Sequence, residues 1–168
     1  MNTQKILISQ FHAALEMLKQ CILQCSDSVW DDPIDKNKFW LLAYHALFYT
    51  HLYLHPSAGE FVAWSKHREN YQALGRLPWP PHDIVPIGES YSKADLLQYF
   101  ELCWTTVDEM IAKVDLESEA SGFDWIPMGK LELQIYNLRH LQQHTGELME
   151  RLSSRAGIDV NWVGKKTE

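Results

Sequence analysis

The sequence predicts an all-α fold, a four-helix bundle with a long crossover between its second and third helices. Three observations carry this. Four segments repeat apolar residues at three-and-four spacing, no segment sustains strand alternation, and a connection rich in proline and aromatic residues runs from Pro56 to Tyr91. With 168 residues, 46% of them hydrophobic, the chain is long enough to bury one real core, so a single domain over 1–168 is expected.

The first helix is expected from about Thr3 to Cys25, where Leu7, Phe11, Leu15, Leu18, Ile22 and Cys25 share one face. The second opens after Asp35, runs through KNKFWLLAYHALFYTHLYL and stops at Pro56, because proline cannot continue a helix interior. Within the connection that follows, FVAWSKHRENYQAL reads as a short helix, and Pro56, Pro78, Pro80, Pro81 and Pro86 stiffen the rest. The third helix starts at Ser92, where Ser92 and Asp95 have capping-box spacing, and carries Leu96, Phe100, Cys103, Val107, Met110 and Val114 on one side. The fourth begins near Pro127 to Gly129 and ends by Gly157, a residue suited to the left-handed position past a helix C-terminus.

Composition excludes several partners. The net charge is -7 and the 15 Lys and Arg are scattered, so the chain lacks the basic stripe that nucleic acid or an anionic membrane surface requires. No run of 18 apolar residues is present, and the first 20 residues lack the apolar core and cleavage site of a secretory signal; a cytoplasmic location is expected. Cys21, Cys25 and Cys103 are too few and odd in number for a disulfide framework, and the first two, one helical turn apart, read as core packing.

The chemistry-bearing residues are histidines. On the second helix His45 has Leu41, Leu42, Phe48, Tyr49 and Leu52 within about 60° of it, which places it in the middle of the apolar stripe. A buried imidazole without a partner forfeits about 1 to 3 kcal/mol, so something inside must satisfy it. His51 and His55 project away from His45 and read as peripheral. On the fourth helix, in LRHLQQHTGEL, His140 and His144 are about 40° apart at the edge of the arc formed by Leu133, Leu138, Leu141, Leu148 and Leu152. Imidazoles at i and i+4 present two nitrogens to one ion, as in zinc helices, but Leu141, Gln142 and Gln143 supply no intervening Glu to act as a metalloprotease base. Convergence of His45 with this pair would answer its need for a partner; a plain helical protein in which His45 bonds a buried Tyr or a water is the other reading.

The stretches FWLLAYHALFYTHLYL and LRHLQQHTGEL, in this order and on these helices, resemble the DinB-like superfamily of small helical metalloproteins across essentially the whole chain. The resemblance implies a four-helix bundle, often a homodimer, with a divalent ion such as zinc or nickel on His45, His140 and His144. Several members use low-molecular-weight thiols as transferases or isomerases, so the resemblance implies a metal-dependent enzyme of that kind or a hydrolase, with a thiol as a possible co-substrate. Members often carry Arg soon after the last histidine, whereas Thr145 and Gly146 stand here. A non-catalytic, metal-stabilised dimeric interaction protein is the alternative. Tyr49, Tyr136 and Trp64, with His67 and Tyr71, are candidate pocket residues for a small-molecule substrate, and Glu101 and Glu147 are candidate acceptors for ligand N–H groups.

Overall fold

Five α-helices, four of them long, make up the chain in this computed structural model, which describes residues 2–166. They are α1 (Thr3–Gln24), a single turn α2 (Asp27–Trp30), α3 (Phe39–Leu54), α4 (Lys93–Lys113) and α5 (Lys130–Ala156), and the described residues contain no strand. The four expected helices are therefore α1, α3, α4 and α5, each beginning and ending within a few residues of its sequence signals. No helix of the described residues is long and apolar enough to cross a membrane.

Local chemistry explains the ends. The Asn2 side chain accepts from the Lys5 backbone N–H, which caps α1. Ser92 and Asp95 form the reciprocal capping box of α4, with each side chain meeting the other residue's backbone N–H. Gly157 takes φ 64° and closes α5 in the left-handed conformation.

Helices α1 and α3 each pack against both α4 and α5 and touch each other little. The amphipathic α1, α4 and α5 turn apolar faces inward, whereas α3 is apolar all round and is enclosed by its neighbours: of its 16 residues only His45 and Tyr49 are not buried. Cys21, Cys25 and Cys103 are free thiols inside the core, and burial pushes Cys25 up to about 11.

The axial position of α5 along α3 is set by polar side chains. Lys130, Gln134 and Asn137, one turn apart on the same face of α5, donate in turn to the carbonyl oxygens of Pro56, Tyr53 and Thr50, at 2.7, 2.8 and 3.2 Å. The Tyr53 and Pro56 acceptors lie at and just beyond the C-terminal end of α3, where carbonyls lack intrahelical donors, and Thr50 lies one turn before it. Donor numbers rise as acceptor numbers fall, so the two helices are antiparallel. The next positions up α5 on this side come level with His45.

The connection from α3 to α4 departs from expectation over FVAWSKHRENYQAL. Instead of one helix this stretch forms turns and a single 3-10 segment, Tyr71–Ala73, with Asn70 and Leu74 at positive φ, and a second 3-10 segment, Ala58–Glu60, precedes it. Aromatic packing accounts for the difference. Trp64 lies flat on Tyr99, ring centroids 4.5 Å apart and 4° from parallel, and Tyr71 packs against Trp40 and Tyr91; these tertiary contacts outweigh a weak local helix propensity. Arg76 and Ile84 make an isolated antiparallel bridge around the Pro80–Pro81 turn.

Two substitutions test this account. Ser92→Ala should lower the unfolding free energy by about 1 kcal/mol, read from the urea midpoint. Gly122→Ala should cost more, because Gly122 sits at φ 86° and a Cβ there would collide with the Pro56 carbonyl.

Candidate metal centre

Register brings three imidazoles together. One nitrogen from each of His45, His140 and His144 lies within 4.8 Å of the others. The Nε2 atoms of His45 and His140 are 3.0 Å apart, and the ring centroids of His144 stand 4.6 Å from both neighbours. Two ligands at about 2.0 to 2.1 Å from one ion, at angles from octahedral to tetrahedral, are separated by about 2.9 to 3.4 Å. The His45 to His140 gap falls in that range.

Hydrogen bonds fix which nitrogens face inward. His45 Nδ1–H donates to the backbone carbonyl of Gln72 at 2.6 Å; a carbonyl only accepts, so the neutral ring must leave Nε2 as a bare lone pair. His144 Nδ1–H donates to the Glu147 carboxylate at 3.2 Å, with the same result. A single N–H on His140 Nε2 can serve only one such lone pair, and its Nδ1 is buried without a partner. A cation is the species that meets several converging lone pairs at once, so the donor set fits a divalent ion.

Burial keeps the His45 and His140 rings neutral. It pushes His45 down to about 3, assisted by the neighbouring His140 and His144, and His140 down to about 4, assisted by His144. Both are therefore ready as ligands at pH 7 without losing a proton.

His45 and His140 form one end of a cavity of about 720 Å³ whose wall also includes Tyr49, Tyr136 and Gln72. Tyr49 packs edge-on against His45 at 4.8 Å, and Tyr136 stacks toward His140 at 6.5 Å. Trp64 does not line this cavity; it is buried against Tyr99 and Tyr91. His67 and Tyr71 are likewise used elsewhere, His67 Nδ1 meeting the Tyr44 hydroxyl at 2.6 Å and the Tyr71 hydroxyl accepting from the Gly88 N–H. Glu101 is on the other side of the molecule, paired with Lys19 at 3.6 Å.

His45 stands among the buried Leu41, Leu42, Phe48 and Leu52, as its spacing predicts, but is itself only half-buried. Because α3 is enclosed on every other side, His45 and Tyr49 mark its one opening, toward the cavity. The same enclosure corrects the peripheral placement of His51 and His55, which are only 3% and 7% exposed. His51 Nδ1 lies 3.3 Å from the Tyr99 hydroxyl, and His55 Nδ1–H donates to the His51 carbonyl at 2.9 Å. Both rings pack on Phe61 and take no part in the triad.

Two features went unread in the sequence. Gln72, which orients His45, acts through its main chain and so carries no residue signal. Lys130, Gln134 and Asn137 occupy inward positions of α5 where the leucine pattern alone was followed; polar residues recurring on an otherwise apolar face were the available clue. No family model, curated protein or solved structure matches the chain. The centre is therefore judged on the placement of its own side chains.

Burial of His51 generates a pH dependence. The unfolded ring takes up its proton near 6.5 and the folded ring only at about 4, with burial as the main cause and His55 assisting. Between these values the unfolded chain binds more protons, so stability falls as pH drops through this interval, by up to about 1.4 kcal/mol per pH unit for one proton. Urea titrations of chelator-treated protein should show this decline, and His51→Gln should make it shallower by about one proton's share.

Proposed function

We propose that this chain is a metal-dependent enzyme of DinB-like type, a cytoplasmic homodimer of four-helix bundles whose divalent ion, zinc or nickel, is held by His45, His140 and His144. The observation that carries the reading is the pair of Nε2 lone pairs, fixed by Gln72 and Glu147, that converge with His140 at the end of a cavity. The long connection between α3 and α4 serves as the crossover of the bundle and supplies the oxygen that orients His45.

Three protein ligands leave coordination positions open, as catalytic rather than structural zinc sites do. When bound, such an ion acidifies a water or a thiol enough to provide a nucleophile near neutral pH. That chemistry suits a thiol-dependent transferase or isomerase, or a hydrolase. The chain's own residues do the rest. Gln72 and Glu147 hold the rings in one tautomer, and burial keeps His45 and His140 unprotonated. The Tyr49 hydroxyl, pushed up to about 12 by burial, stays protonated at pH 7 and can donate a hydrogen bond to a substrate.

The cavity favours catalysis over the alternative of a metal-stabilised interaction protein, since an ion that merely braced the fold would gain nothing from an approach of this size. Nor does the register of α5 on α3 need an ion, because Lys130, Gln134 and Asn137 set it.

Elemental analysis of untagged protein should find about one divalent ion per chain, and His45→Ala should lose it. Zinc at about 100 times its Kd should stabilise the wild type by about 2.7 kcal/mol in thermal unfolding and leave His45→Ala unmoved. Full occupancy in that variant would refute the ligand set. Turnover found in a thiol-conjugation or hydrolysis screen should vanish on chelation and return with metal.

A further inference from the structure

The cavity beside the triad has a composition that selects its occupant. Its volume of about 720 Å³ suits a single small molecule. One end is formed by His45 and His140, and none of its lining residues is Lys, Arg, Asp or Glu. The body of the wall is apolar, with Phe48, Leu52, Phe61 and Ile126. Trp79 and Trp125 complete it, and these two rings are 59% and 58% exposed. Large aromatic faces left in water are costly unless something covers them, and here both belong to the wall of one cavity.

Polar groups in the wall are few and specific. Gln72 belongs to the wall, but its side-chain oxygen is itself buried. The Tyr53 hydroxyl is already engaged, accepting from Trp125 Nε1 at 3.3 Å. In the metal-free protein a carboxylate or phosphate entering this wall would lose its hydration without gaining a cationic side chain. An ammonium group would find no carboxylate, and a divalent ion at the histidine end would repel it.

We propose that this cavity binds a neutral, ring-bearing small molecule, and that this molecule is the substrate presented to the histidine centre. The inference rests on the metal-centre reading for the substrate's role, but the binding itself does not require the ion. The ring lies among Trp79, Trp125 and the apolar wall. A charged thiol co-substrate is not what the cavity is shaped to hold.

Calorimetric titration of chelator-treated protein with three probes tests this: 2-naphthol, the 2-naphthoate anion and the 2-naphthylmethylammonium cation. The neutral probe should bind at least about tenfold more tightly than either ion. Trp125→Ala, at an exposed position that the fold does not need, and Ala58→Trp, which fills the cavity from its wall, should each weaken 2-naphthol by about fivefold or more. No binding of 2-naphthol, equal or tighter binding of either ion, or indifference to both Trp125→Ala and Ala58→Trp overturns the proposal. Zinc uptake by the same samples separates the two readings: normal zinc uptake with no naphthol selectivity sinks only the substrate class, whereas naphthol selectivity without zinc uptake sinks only the metal centre.

Discussion

The site depends on a ladder of three polar side chains that fixes how far α5 slides along α3. Apolar packing between helices is non-directional and tolerates displacement by a turn, about 5.4 Å. Hydrogen bonds from Lys130, Gln134 and Asn137 to successive carbonyls of one chain segment do not, because each donor left behind would be a buried polar group without a partner. A slip of one turn would carry His140 past His45 and separate nitrogens that now stand 3.0 Å apart. The ladder runs to the end of α3, so its bonds to Tyr53 and Pro56 satisfy carbonyls there while all three place the imidazoles.

Much of this was legible from residues alone. The ends of the long helices followed from Ser92 with Asp95, Pro56 and Gly157, since capping and chain-stopping are local effects that a sequence displays directly. The histidine set followed from spacing on α5 and from one residue on α3. What the sequence does not show is the surroundings of α3: a helix apolar on every side has no period to betray which face is open, so the burial of His51 and His55 is not legible in it. The turns around Trp64 escaped for a related reason, because their shape is decided by Tyr99 and Tyr91, far away in sequence.

Electrostatics and shape agree at the centre. Burial makes protonation of His45 and His140 costly, and the absence of carboxylates from the cavity wall means that little there would restore it. Glu147, the one carboxylate bonded to the triad among the described residues, lies behind His144, where it strengthens the ring as a donor of electron density. The imidazole end is thus polar only toward its own interior, and the aromatic wall continues the same low-dielectric environment outward.

The group that aims His45 is the main-chain oxygen of residue 72 and not its side chain. Any amino acid at that position would still bring the oxygen, as long as the connection kept its path. Inheritance at this point acts on the shape of a loop while its letters are free to drift, so descendants of this chain could retain an identically oriented ring with no recognisable signature around it.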